Sequence, residues 1–138
     1  TLPLAFARSI GIDPARGERP VVWFSTMTLW EPSAAKGIEC PFTRRARRAT
    51  LAEMEAVGLA RVVVDAGSLT PWPALAVPAG IALPKVAALE RFARSVGAFP
   101  ERWAGFLAPF PLRDALRLEV FHRGTWLRFY TGDDGVLL

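Results

Sequence analysis

The residues VVWFSTMTLWEPSAAKG, numbered 21–37, begin as a strand and end in polar groups for which a hydrophobic core has no use. Val21, Val22, Trp23 and Phe24 are β-branched or aromatic, the residue types that fit a pleated, half-buried surface. The strand stops at Ser25 and Thr26, and Trp30, Glu31, Pro32, Ser33, Lys36 and Gly37 follow. Two hydroxyls, an indole, a carboxylate and an amine within twelve residues outline one wall of a pocket. A buried strand followed by a turn and a short helix accounts for the same residues without a ligand. Pro32 favours an extended Glu31 and opens a helical turn through Lys36, with Gly37 as its end.

Toward the N-terminus, residues 2–10 read as a short helix with Pro3 in its first turn and Gly11 as its stop. Residues 13–20 form a polar turn rich in Gly and Pro. Toward the C-terminus, CPFTRRARRA (40–49) places Arg44, Arg45, Arg47 and Arg48 within five residues. The run reads either as a solvated loop or as a patch for phosphate. No aromatic residue interleaves with the four arginines, so the stacking half of a single-strand-binding surface is missing.

Thr50 and Glu53 form a capping-box pattern that starts a helix through Val57, with Leu51, Met54 and Val57 on its inner side. Residues 59–65 read as a strand, with Ala66-Gly67-Ser68 as its turn. TPWPALAVPAGIA (70–82) holds three prolines, follows no period and reads as an irregular loop in which Trp72 packs. Residues 84–96 make the best helix, with Pro84 in the first turn and a stripe of Val86, Leu89, Phe92, Ala93 and Val96. A shorter segment over 99–106 follows, with Trp103, Phe106, Leu107 and Phe110 as anchors. A hairpin closes the chain: 115–121 and 126–130 alternate around a turn at 122–125.

These elements predict a small α+β fold of twisted antiparallel or mixed sheets with two or three packed helices, in one domain over residues 1–138 with 132–138 as a tail. At 138 residues the chain is long enough for a real core, and its 51% hydrophobic and 22% charged content is that of a globular protein. No apolar run reaches the ~18 residues of a membrane span, and no basic-then-apolar leader is visible. Cys40 is the sole cysteine, which with the missing leader fits the cytoplasm and excludes an internal disulfide. One Cys and one His argue against a protein-only zinc site, so no metal is expected. The net charge is +4, and all but two of the seventeen basic residues are Arg, whose planar fork pairs with phosphates and carboxylates.

Nucleophilic serine chemistry finds Ser25, Ser33 and Ser68 but no nucleophile-elbow sequence, and no Gly-rich phosphate loop occurs. Glu119 is the leading candidate carboxylate. It stands mid-strand among apolar residues, where it either pairs with Arg117 or Arg128 on the sheet surface or projects into a cleft.

The order of Ser9-Ile10-Gly11, Glu18-Arg19-Pro20, Val22-Trp23-Phe24-Ser25-Thr26 and Trp30-Glu31 to Lys36 resembles a group of small bacterial and phage-associated proteins with a VWFS…WE…K signature. Through that signature it resembles the ADP-ribosyltransferase superfamily. The resemblance implies a split fold of two packed sheets, NAD as cofactor, and NAD cleavage or ADP-ribosyl transfer to a protein or nucleic-acid acceptor. It casts Ser25, Thr26, Trp30, Glu31 and Lys36 as the NAD pocket, Glu119 as the catalytic carboxylate and the four arginines as a phosphate or acceptor contact. The first-strand His or Arg of that superfamily is not visible; it lies upstream of Thr1 or does not exist. The alternative is a non-enzymatic binding module whose Arg-rich face meets nucleic acid or an acidic partner protein, away from any membrane.

Overall fold

The computed structural model describes residues 13–129, and the elements expected over 2–10 and 132–138 lie outside them. Among the described residues, two helices and eight short strands, all paired antiparallel, make up a small α+β fold in three sheets. The described chain divides into two compact units, one of residues 13–33 and 65–114, the other of residues 34–64 and 115–129.

In the first unit β1 (Val22–Ser25) lies beside β6 (Trp103–Phe106), with Trp23 opposite Gly105, and β6 also pairs with the two-residue β5 (Thr70–Pro71). The segment 99–106 thus enters as a turn at Pro100–Arg102 and continues as the central strand. Helix α2 (Leu83–Ser95) carries Pro at its start, as expected, and buries Ala93 completely. Phe92 departs from the expected stripe and stays 43% exposed.

The larger surprise is the Pro-rich stretch 70–82. Expected as an irregular loop, it holds strand β5 and a 3-10 turn at Ala74–Ala76, and it supplies Trp72, Leu75, Ala76, Ala79 and Ile81, five of the nine residues of the buried core cluster. Its three prolines stay exposed, and the segment can enter the core because its buried amides find carbonyls: Trp72 N–H donates to Trp103 O, Ala76 N–H to Pro73 O, Ala79 N–H to Leu75 O and Ile81 N–H to Ala76 O. Trp23, Trp72 and Trp103 meet with ring centroids 5.7–6.0 Å apart in tilted and edge-on pairs. The buried indole N–H of Trp72 donates to Glu90 Oε1 at 2.8 Å. Glu18 is buried too. Lys85 Nζ at 2.5 Å, and then the Asp13 N–H, hold its carboxyl below the ordinary carboxylate range.

In the second unit β4 (Ala60–Val63), β7 (Arg117–His122) and β8 (Thr125–Arg128) form a meander with β7 central. The β7–β8 turn is Arg123-Gly124, both at positive φ, as a two-residue hairpin turn requires. A separate two-stranded ribbon joins β2 (Gly37–Glu39) to β3 (Ala46–Arg48). Gly37 therefore opens a strand; the turn before it, Pro32–Ala34, is a short 3-10 turn. The Arg-rich run is likewise half strand rather than all loop.

Helix α1 (Leu51–Val57) starts on the expected capping box: Thr50 Oγ1 accepts from Glu53 N, and Glu53 Oε2 accepts from Thr50 N. Met54 is buried, but Val57 departs from the expected inner side and is 84% exposed. Arg47 clasps Glu53 with both guanidinium nitrogens, at 2.6 and 2.8 Å. This pairing, and next the Thr50 N–H, lowers the Glu53 carboxyl from 4.5 to about 2. The folded value lies below the unfolded one, so the stability this carboxylate contributes is whole above pH 4.5 and is lost as the pH falls toward 2. Unfolding followed between about pH 6 and pH 2 should show wild type losing stability more steeply than Glu53→Gln; parallel curves would remove the linkage.

Candidate functional site

In the first unit Ser25, Glu31, Ser33 and Trp103 converge. Glu31 leaves the loop after β1 and turns back on it. Its Oε2 accepts from Ser25 Oγ at 2.6 Å; its Oε1 accepts from Ser33 Oγ at 2.5 Å, Ser33 N at 3.2 Å and Trp103 Nε1 at 3.3 Å. Every one of these donors is uncharged, and the carboxylate is half-buried. The sequence offers Ser33 only as one of three candidate nucleophiles and Trp103 only as a core anchor, neither as a partner of Glu31. Ser33 sits two residues after Glu31, a spacing that lets a carboxylate take both its hydroxyl and its amide. Trp103 comes from 72 positions away, and no local pattern signals it. Thr26 closes the sheet edge instead, donating from its N–H to Arg102 O at 2.8 Å. Trp30 is half-buried, and Lys36 is exposed in the second unit.

Glu119 lies on the central strand of the second unit and is only 6% exposed. Arg117 Nε donates to its Oε1 at 2.5 Å and Arg61 Nε to its Oε2 at 2.6 Å. Arg117 first, then Arg61, holds the Glu119 carboxyl below the ordinary carboxylate range, against the opposing effect of burial. The Arg61 guanidinium also covers the Trp126 ring at 4.1 Å, and Trp126 meets Phe121 edge-on at 5.1 Å. Glu119 thus pairs with Arg117 as the sequence suggested. Its other partner is Arg61, opposite it on β4; Arg128 stands opposite it on β8. Both oxygens are engaged, so this carboxylate is a structural clasp as it stands.

The four arginines belong to the β2–β3 ribbon. Arg44 Nε meets Glu39 at 2.8 Å, and Arg47 is held by Glu53. Arg45 and Lys36 are exposed and form no ion pair with another described residue. Of residues 37–48, all but Cys40 and Arg48 are exposed. Ile38, Glu39, Cys40, Pro41, Arg45, Ala46 and Arg47 line an open groove of about 320 Å³. The Cys40 thiol in it is pulled down, first by a hydrogen bond from the Thr43 side chain and then by the Thr43 and Phe42 amides. At the ribbon's tip Phe42, which precedes the four arginines rather than interleaving with them, is 93% exposed.

Charge divides unevenly. The described residues of the first unit carry seven basic and seven acidic side chains; those of the second carry nine basic against four acidic, a net +5. Among the described residues no group of three His, Cys, Asp or Glu could hold a metal ion, and no helix is long and apolar enough to cross a membrane. Compared with protein-family models, with curated proteins and with solved structures, the chain matches none.

Proposed function

We propose that this chain is a nucleic-acid-binding module that meets the phosphate backbone through its β2–β3 ribbon. The observation that carries this reading is a two-stranded ribbon exposed on nearly every residue, bearing Lys36, Arg44, Arg45, Arg47 and Arg48 in the unit that holds the net positive charge. A two-stranded ribbon is marginal by itself and fits the width of a duplex major groove. Arg forks suit phosphate oxygens, and among the described residues Arg45 and Lys36 have no ion-pair partner to give up.

The test is fluorescence anisotropy of a labelled DNA duplex of about 20 base pairs across a salt series. Binding should weaken steeply with salt, by roughly 0.9 in the log–log slope for each phosphate contact. Lys36→Gln with Arg45→Gln should flatten that slope by about two contacts. No binding at low salt, or binding that poly-glutamate competes for better than DNA does, would replace the reading with an acidic protein partner.

A second reading, NAD-dependent ADP-ribosyl transfer or NAD cleavage, is favoured by Glu31, a half-buried carboxylate served only by hydroxyl, indole and amide donors. Such a carboxylate can exchange Ser25 Oγ for a ribose hydroxyl. Nicotinamide release by wild type that vanishes in Glu31→Gln supports this reading; no release by wild type removes it.

A further inference from the structure

We propose that Phe42 is a wedge that inserts into the base stack of duplex DNA, with the ribbon arms seated on the phosphates on either side; this rests on the nucleic-acid reading above. Phe42 is the most exposed large hydrophobic residue described, at 93%. Nothing in the turn calls for an aromatic ring there, since tight turns favour Pro, Gly, Asn, Asp and Ser. The tip is nonetheless held in one shape. Cys40 N donates to Arg45 O at 3.0 Å, Arg44 N donates to Cys40 O at 2.9 Å, and Arg45 N leans on Thr43 Oγ1 at 3.4 Å. Pro41 fixes its own φ, and Arg44 adopts φ +57°, the left-handed conformation that closes the loop. The ring is therefore presented outward rather than folded onto the ribbon.

The residues that follow it, Arg44 and Arg45, supply the charge that an apolar tip needs in order to approach a polyanion. A ring flanked by guanidiniums on a preformed turn matches the chemistry of side chains that unstack a base step while neighbouring cations hold the backbone. The ring stands at the tip of the ribbon, ahead of the arginines that follow it in the turn.

The experiment uses the full chain and a 20-base-pair duplex with 2-aminopurine at a central TA step, reading anisotropy and 2-aminopurine emission together. Wild type should bind and raise the emission several-fold as the step unstacks. Phe42→Ala should bind up to about tenfold more weakly with an unchanged salt slope and no emission rise; Phe42→Trp should restore the rise. Lys36→Gln with Arg45→Gln should lower the slope and leave the emission at saturation intact. Wild-type binding without an emission rise, or a rise that persists in Phe42→Ala, overturns the wedge and leaves phosphate binding standing. Absence of wild-type binding overturns both. Phe42-dependent association with phosphatidylserine vesicles instead of the duplex assigns the tip to a lipid surface and overturns the wedge as well.

Discussion

Glu119→Gln should lower the melting temperature by about 10 °C, a loss of roughly 2–3 kcal/mol. Glu119 is 6% exposed and gives one oxygen to Arg117 and the other to Arg61. Removing one member of a buried pair generally costs about 3–5 kcal/mol, because the other charge is left without compensation. Here the guanidiniums left behind are 29% and 37% exposed, so water offsets part of the loss and the lower figure applies. Arg117→Gln should cost less, since Arg61 still serves the carboxylate. The depressed Glu119 carboxyl gives the same conclusion on the pH axis. Its stabilising contribution is present above the ordinary carboxylate range and is lost on acidification, and Glu119→Gln should flatten that acid limb. Thermal melts decide the matter. An unchanged melting temperature would mean that the clasp carries no stability and that Glu119 is free for chemistry. A large drop means that lost NAD turnover in this variant would not identify a catalytic group, which is why Glu31→Gln is the sharper probe of that reading.

Gly105→Ala should destabilise the first unit by about 3 kcal/mol, although it adds a single methyl group. Gly105 is buried on the central strand β6, opposite Trp23 on β1 and Thr70 on β5. A Cβ there would run into Leu75 Cδ2 and would lie 2.7 Å from Val21 Cγ1. Leu75 is 0% and Val21 2% exposed, so neither has space to retreat into, and the clash must pass to the strands themselves. The cost is steric, since Gly105 has no left-handed φ to lose. Denaturant unfolding of Gly105→Ala measures it. Leu75→Ala in the same protein, by opening room beside the new methyl, should bring the double variant closer to Leu75→Ala alone than additivity predicts. Full additivity would show that the methyl and Leu75 do not meet.

What the sequence determined on its own lies within a turn or two of the chain. The Thr50–Glu53 box placed helix α1 over the residues the structure assigns, Pro84 marked the first turn of α2, and alternation on either side of 122–125 marked the closing hairpin, whose turn tightens to Arg123-Gly124. These signals are legible because the donor and acceptor, or the two faces, belong to residues a few positions apart. Tertiary structure alone decided the rest. It put the proline-rich 70–82 at the centre of the core, where no periodicity announced it. It brought Arg61 to Glu119 from 58 positions away and Trp103 to Glu31 from 72. It also raised Phe42 on the tip of an exposed ribbon. Such contacts follow from which surfaces complete one another's burial and which charges find a partner, and those depend on the assembled strands rather than on neighbouring residues.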